Sequence, residues 1–229
     1  MLRRAVWWSR FKLTCVKKDH GEATKHLRKS DPVMARIIDR VGDCLLGSSS
    51  DRGGPARDHY GALVRAIVGQ QLSTSAARSI YNRLTARYGG TTPSPSELRA
   101  DDPEAVRVAA GLSKAKVNFL RDLAERIESG SLVLEELDRL PDEEVAARLL
   151  QVKGVGQWTV DMFLIFHLGR PDVLPVGDLG IRRAAMIEYR LRKLPEGKRL
   201  ITLARPWRPW RSVASWYLWA SLRAVPVEP

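Results

Sequence analysis

The sequence has few of the residues that build disulfide frameworks and metal centres. Its only cysteines are Cys15 and Cys44, which excludes a disulfide scaffold and any four-cysteine zinc or iron–sulfur site within one chain. The four histidines show no ligand spacing, so we expect no catalytic zinc. These absences predict a protein of a reduced intracellular compartment that requires no cofactor.

Long hydrophobic runs and strand-like alternation are also scarce. No apolar run reaches membrane-spanning length. The basic N-terminus, MLRRAVWWSRFKL, lacks the continuous apolar core and small-residue cleavage site of a secretory signal. We therefore expect a cytoplasmic protein, nucleoid-associated if its source is bacterial, with no membrane partner.

Positive charge is abundant. The formal net charge is +12 and the sequence pI is about 10.1, which implies a polyanionic partner, most simply nucleic acid and less simply an acidic membrane surface. Residues 1–40 carry a balance of +7, residues 181–229 a balance of +8, and the middle a balance of −3. Both ends could therefore line one positive surface, although lysine and arginine that merely solvate helices are the alternative.

Apolar residues recur mainly at helical spacing, which predicts an all-α fold with short connections. Helix-start residues such as Asp31-Pro32 and a closing Gly89-Gly90 mark several helix ends. Residues 91–97 have the composition of a loop, and residues 1–24 fit no clear period, so we predict a loose basic arm there. The predicted helices cover residues 31–46, 60–73, 73–89, 113–130, 141–152, 155–169, 177–191 and 210–224.

The segment VKGVG, residues 152–156, lies between two predicted helices. Glycine at positions 154 and 156 permits positive φ and the close approach of another backbone. The N-terminus of the following helix offers unpaired N–H groups, so Gly154, Val155 and Gly156 could cradle a DNA phosphate, with Lys153 adding a positive charge. The alternative is an ordinary tight turn between helices.

Five segments together resemble the helix-hairpin-helix / Gly-Pro-Asp superfamily of base-excision DNA glycosylases, in its alkylpurine branch, DNA-3-methyladenine glycosylase II. They occur in the family's order and span most of residues 25–224. The segments are AIVGQQLS (66–73), GLSKAKVNFLRDLA (111–124), VKGVGQWTVDMF (152–163), LPVGDLGIRRA (174–184) and WRPWRSVASWYLW (207–219).

The resemblance implies a two-lobed all-α glycosylase fold with a cleft between the lobes. One lobe would combine residues 25–60 with residues 170–229. The other would be residues 61–169, including the helix-hairpin-helix at 141–168. This division agrees with the uneven distribution of charge.

The resemblance also implies an activity, the hydrolytic release of alkylated purines such as 3-methyladenine and 7-methylguanine from double-stranded DNA by a monomer. It places the catalytic carboxylate at Asp178, for which a helix N-cap is the alternative role. No second acid is obvious near Asp178, as expected if the alkylpurine is already cationic and leaves without protonation. Relatives that also cut the strand carry a lysine nucleophile at the position of Trp158, so we expect a monofunctional enzyme.

The base must be flipped out of the duplex, and aromatic faces would attract a cationic purine. We predict that Trp216 and Trp219 are core residues. The predicted walls of the base pocket are Trp158, Trp210, Met162 and, as a further possibility, Tyr217.

Other contacts with DNA follow from the same resemblance. Gln71 and Leu72 are the expected wedge that fills the gap in the duplex, although Gln70 and Gln71 could simply cap a helix. The candidate phosphate contacts are Arg182, Arg183, Arg208 and Arg211. A structural monovalent cation at the hairpin would be held by the backbone carbonyls of Leu150, Val152 and Val155.

Two other functions remain open from the sequence. The chain could be a non-catalytic DNA-binding module that uses its hairpin for phosphate contact. It could also be a glycosylase for another damaged base, although the missing cysteine cluster and Trp158 argue against the iron–sulfur and lyase branches.

Overall fold

The computed structural model describes residues 20–48 and 58–224, and these form α-helices and no strand. The predicted all-α class is therefore confirmed. None of the described helices is both long and apolar enough to cross a bilayer. The helices are α1 (Gly21–Ser30), α2 (Pro32–Val41), α3 (His59–Gly69), α4 (Thr74–Arg87), α5 (Pro95–Ala100), α6 (Pro103–Ala110), α7 (Lys114–Glu128), α8 (Asp142–Leu149), α9 (Gln157–Phe166), α10 (Leu179–Glu188), α11 (Gly197–Leu203) and α12 (Arg211–Ala224).

Two expectations about local structure were wrong. Residues 1–19 of the predicted N-terminal arm lie outside the described residues, but α1 begins at Gly21, so the last residues of that arm are helical. The predicted loop 91–97 contains the start of α5, where Ser94 and Glu97 form a capping box and Pro95 takes the first helical position. The Ser-x-x-Glu spacing was the signal that the composition of this segment concealed.

The helices pack in two groups. Helices α1, α2, α10, α11 and α12, from the two ends of the chain, pack on one another, and helices α3 to α9 form the second group. We call these the terminal group and the central group. The segment after α9 leads back into the terminal group and ends at Asp178, so this residue lies where the two groups join.

A buried carboxylate, Asp31, connects distant parts of the terminal group. Its Oδ1 atom caps α2 by accepting from the amides of Val33 and Met34 at 2.8 and 3.3 Å. Its Oδ2 atom accepts from the Tyr189 hydroxyl at 2.5 Å and from Trp207 Nε1 at 2.8 Å. Burial, together with the bond to Asp31, raises the pKa of Tyr189 well above its usual range, so the tyrosine remains a donor at any working pH.

Replacing Asp31 by alanine should lower the free energy of unfolding by about 2–4 kcal/mol, because it removes a helix cap and leaves two buried donors without a partner. Urea unfolding followed by circular dichroism measures this loss. The control is Asp39→Ala, which removes an exposed carboxylate paired with Arg28 and should cost less than about 1 kcal/mol. Equal losses in the two variants would contradict the role assigned to Asp31.

Candidate active site

Asp178 is held by three hydrogen-bond donors at the start of α10. Its Oδ1 atom accepts from the amide of Ile181 at 2.8 Å, so the residue is the N-cap of α10. Trp158 Nε1 donates to Oδ2 at 2.6 Å, and Trp219 Nε1 donates to Oδ1 at 2.9 Å. The side chain thus caps a helix and also faces two tryptophans, and it is buried, with 9% of its surface exposed.

The three donors suit an ionised carboxylate, which can only accept hydrogen bonds, whereas an indole N–H can only donate. Trp158 belongs to α9 of the central group, and Trp219 belongs to α12 of the terminal group. The carboxylate therefore joins the two groups of helices. We call Asp178, Trp158 and Trp219 the carboxylate clamp.

The role predicted for Trp219 needs correction. Trp216 is buried core, as expected, but Trp219 is only half-buried and directs its indole N–H at Asp178. A Cβ atom at Gly180 would lie 3.2 Å from the Trp219 ring and 3.0 Å from Asp178 Oδ1. A residue without a side chain at position 180 therefore allows the indole to reach the carboxylate, and the ring of Phe166, 5.5 Å from that of Trp219, packs beside it.

Trp210 was predicted as a pocket wall instead of Trp219. It is half-buried and directly precedes α12. Nine residues separate it from Trp219, a distance of about 13 Å along a helix axis. The structure places Trp219 against Asp178, and Trp210 stays a predicted pocket residue.

Tyr217 does not line the predicted base pocket. It is fully buried, and its hydroxyl donates to the Gly42 carbonyl at 3.1 Å on the side of α12 that packs against α2. Met162, by contrast, lies one helical turn after Trp158, so both side chains share a face of α9. It is 7% exposed, and it stays a predicted pocket residue.

A second carboxyl group lies in the field of Asp178, contrary to the expectation from the sequence. Asp161 is buried on α9, and its Oδ1 accepts from Gln157 Nε2 at 2.9 Å. Burial raises the pKa of Asp161 to about 6; the bond from Gln157 lowers it, and the negative charge of Asp178 raises it further. This proximity is not evident from the sequence, because seventeen positions separate the two acids along the chain.

The two glycines of the hairpin have different roles. Gly154 has a φ of +77°, and a Cβ atom there would lie 2.1 Å from the ring of Phe119, so only glycine fits. Gly156 has an extended backbone with a φ of −105°, and nothing lies within 4 Å of a Cβ atom at this position. Glycine permits positive φ at both positions, but only Gly154 adopts it, and Gly156 instead leaves open space before α9.

Part of the predicted phosphate cradle is used inside the protein. The Val155 amide donates to the Val152 carbonyl at 3.0 Å, and the Lys153 amide donates to Asp122 Oδ2 at 2.9 Å. Burial opposes ionisation of Asp122, but its bonds from Lys153 and Arg126 keep its pKa below the usual range. The Lys153 side chain remains 74% exposed, although it lies 3.4 Å from Asp122 Oδ1.

The N-terminus of α9 supplies amides that the hairpin does not use internally. The first donors within the helix are Thr159 and Val160, which both donate to the Gly156 carbonyl. Gly156 has no side chain to cap the helix. The amides of Gln157 and Trp158 thus have no carbonyl one turn earlier to accept from them, and an external anion can take that place.

The segment between α3 and α4 contains one residue that is bonded to the hairpin and two that are exposed. Gln70 is the C-cap of α3, and its Nε2 atom donates to the Gly154 carbonyl at 2.8 Å and to Thr159 Oγ1 at 3.0 Å. Gln71 is exposed with a φ of +57°, and Leu72 is 39% exposed. Gln70 thus fixes this segment to the hairpin, while Gln71 and Leu72 face outward, as a wedge requires.

The four candidate phosphate contacts differ in availability. Arg211 is paired with Asp172 through Nε at 2.7 Å and Nη2 at 3.0 Å, and only 17% of its side chain is exposed. Its predicted role in binding phosphate is therefore replaced by a structural one. Arg208 keeps 64% of its side chain exposed at 3.5 Å from Asp172, and Arg183 is exposed.

Arg182, the remaining candidate, is half-buried and donates through Nε to the Pro195 carbonyl at 2.9 Å. This bond fixes the guanidinium to the segment before α11. It therefore uses part of the donor set that a phosphate would need.

Two of the three carbonyls predicted to bind a monovalent cation retain acceptor capacity. Leu150 is the C-cap of α8, so its carbonyl lies beyond the hydrogen bonds within that helix. The Val152 carbonyl accepts one bond, from the Val155 amide, and a carbonyl oxygen has a second lone pair. Within residues 20–48 and 58–224, no cluster of three or more His, Cys, Asp or Glu side chains could hold a metal ion.

A matching family model and a similar protein show which family the chain belongs to. The family model for the HhH-GPD superfamily base excision DNA repair protein matches residues 64–209. DNA-3-methyladenine glycosylase 1 of Schizosaccharomyces pombe is 37% identical over 91% of this chain and 92% of its own length. The chain belongs to the HhH-GPD superfamily of base excision DNA repair proteins.

Two solved structures show the same fold. The S. pombe 3-methyladenine DNA glycosylase in complex with abasic DNA matches with a TM-score of 0.78 and 38% identity, over 86% of this chain and 95% of that one. A DNA-3-methyladenine glycosidase from Bacillus halodurans matches with a TM-score of 0.72 and 37% identity, over 86% and 87% of the two chains.

Replacing Gly154 by alanine should lower the free energy of unfolding by about 2–4 kcal/mol, because the methyl group meets Phe119 and the backbone is strained. Urea unfolding gives the value. Gly156→Ala is the matched control and should cost about 1 kcal/mol or less, since its methyl group enters open space. A larger loss in the Gly156 variant than in the Gly154 variant would rule out this assignment.

Proposed function

We propose that the chain is a monofunctional DNA glycosylase that hydrolytically releases N3- or N7-alkylated purines from double-stranded DNA. The observation that carries this proposal is the carboxylate clamp, because it directs one buried carboxylate and two indoles at a single point. The helix-hairpin-helix, on the same helix α9 as Trp158, supports it by offering a phosphate site. Relatives named as 3-methyladenine glycosylases give further support.

The proposed reaction needs one carboxylate. Heterolysis of the bond between C1′ and the base nitrogen leaves its electron pair on the base and a positive charge on the deoxyribose, as in glycoside hydrolysis. Asp178 stabilises that charge, and water then bonds to C1′ and loses a proton to Asp178 or to solvent. The products are the free base and an abasic site. A cationic alkylpurine leaves as a neutral base, so it needs no proton from the enzyme.

The flipped base would stack against the half-buried indole of Trp158, whose face attracts a cation. Trp219 is the second aromatic group at this point, and Met162 completes the face of α9. Leu72 or Gln71 would fill the gap in the duplex and offset part of an unstacking cost of a few kcal/mol.

Contacts with the DNA strand come from the N-terminus of α9. The amides of Gln157 and Trp158 would bind a phosphate, and the exposed Lys153 and Arg208 add positive charge. Such contacts position the duplex without reading its sequence. We propose that the protein acts as a monomer in the compartment that holds the genome, the cytoplasm in a bacterium.

A monovalent cation held by the carbonyls of Leu150, Val152 and Val155 would stiffen the hairpin. It would supply electrostatic support to the turn and take no part in bond cleavage. A melting temperature that is unchanged when potassium is replaced by a large organic cation would rule out this site.

Replacing Asp178 by asparagine should reduce the release of 7-methylguanine from duplex DNA at least about 100-fold, because the charge on the sugar loses its counterion. DNA affinity should remain unchanged, since asparagine still caps α10. Base release is measured under single-turnover conditions and affinity by fluorescence anisotropy. The control is Asp58→Asn, which alters the N-cap of α3 and should leave both values unchanged.

If the Asp178→Asn variant still releases the base, the proposed catalytic role of Asp178 is contradicted. If neither the variant nor the unmodified protein releases any base but both bind DNA, the chain is a non-catalytic binding module.

Reduction with borohydride during turnover should trap no covalent complex between protein and DNA, because the indole of Trp158 cannot form a Schiff base. Gel electrophoresis detects such a complex directly, and a glycosylase with a lysine nucleophile is the positive control. A trapped adduct would show that another amine attacks the sugar, and the protein would not be monofunctional.

A further inference from the structure

Asp161 is a buried carboxyl group that folding does not explain. Three acidic residues are buried among those the structure describes: Asp31, Asp161 and Asp178. Asp31 accepts four hydrogen bonds and Asp178 accepts three. Asp161 accepts one, from the exposed Gln157, and pairs with no cation within the described ranges. A buried carboxyl group with so little compensation marks a functional site more often than a structural one.

Its position points to the base pocket. Asp161 follows Trp158 by three residues on α9, and residues at this spacing lie on one face of a helix. Met162 extends the same face. The carboxylate of Asp178 also acts on Asp161 electrostatically, so the second acid lies near the point where the sugar and the base would meet.

Apart from Asp178, no charged group of the described residues affects the ionisation of Asp161. Besides the loop that carries Asp178, helices α3 and α8 pack on α9, and Trp219 of α12 contacts Phe166 of α9. Gln157 is the one polar partner of Asp161 among the described residues. The carboxylate pair therefore gives this face of α9 a local negative charge on a protein whose net charge is +12.

We propose that Asp161 is a specificity-determining residue whose negative charge selects purines made cationic by alkylation over neutral purines. This inference rests on the proposed function and adds a second acid to its base pocket. A bound alkylpurine cation favours the ionised form of Asp161, and ionised Asp161 in turn favours the cation. A neutral purine brings no charge that offsets the repulsion between the Asp178 and Asp161 carboxylates.

The charge acts mainly on binding of the base. It stabilises a positive charge that is already present before bond cleavage, so it lowers the half-saturating protein concentration more than it raises the rate at saturation. The effect should grow as Asp161 ionises, between about pH 5 and about pH 7.

The test compares the unmodified protein with Asp161→Asn in single-turnover release of 7-methylguanine at pH 5 and pH 7. At pH 7 we expect the variant to need about tenfold more protein for half-saturation, with a smaller change in the rate at saturation. At pH 5 the two proteins should converge. A duplex with a tetrahydrofuran abasic site, which has no base, should bind both proteins equally at both pH values. Asp161→Glu should restore most of the difference.

Stability gives a second readout that does not depend on activity. The pKa of Asp161 in the folded protein, about 6, lies above the ordinary value of 3.8. The folded state therefore binds more protons between these values, and the unmodified protein loses stability as pH rises from about 4 to about 6. The Asp161→Asn variant should consequently melt at a higher temperature than the unmodified protein at pH 7, and this advantage should vanish near pH 4.

Asp142→Asn is the matched control, because burial also raises the pKa of Asp142 but that residue pairs with Arg170 at the start of α8. It should leave half-saturation unchanged. The inference is overturned if Asp161→Asn changes half-saturation and rate by one common factor at both pH values, or if it destabilises the protein at both. Absence of base release by the unmodified protein would instead contradict the proposed function.

Discussion

The proposed catalytic centre depends on one set of hydrogen bonds, those that the Asp178 carboxylate accepts from Trp158 and Trp219. Each indole comes from a different group of helices, so the carboxylate is also the point at which the two groups are joined. A carboxylate at a junction of this kind cannot turn toward bulk water without breaking a contact between the groups. The position of this side chain in the proposed active site therefore depends on how the two groups of helices pack together.

The proposed active site contains a buried carboxyl group that lowers the stability of the folded protein at neutral pH. Asp161 is buried near the negative charge of Asp178, and its burial, together with that charge, disfavours its ionised form. Small residues make room for the arrangement, since Gly180 admits the indole of Trp219 and Gly154 admits the ring of Phe119. The terminal group, in which Asp31 connects α2 with Tyr189 and Trp207, supplies Trp219 to this arrangement.

Local sequence signals predicted most helices but could not rank residues that share a helix. Asp178 and the hairpin were predicted as site residues because the resemblance to the glycosylase family rests on short, continuous motifs. Tyr217 and Trp219 are two residues apart on α12 and therefore point to opposite sides, one to α2 and one to Asp178. The local sequence of α12 does not show which side of the helix faces Asp178. The local sequence likewise could not predict that Asp161 lies near Asp178, because this depends on the path of the loop between α9 and α10.

The most direct measurement of the central claim is the affinity of the protein for DNA that contains a cationic azasugar, compared with DNA that contains an uncharged abasic sugar. If the Asp178 carboxylate meets a positive charge on the sugar, the cationic analogue should bind at least about 100-fold more tightly, and Asp178→Asn should remove that preference. Equal binding of the two sugars by the unmodified protein would contradict the claim, because the carboxylate would then not face the reacting carbon.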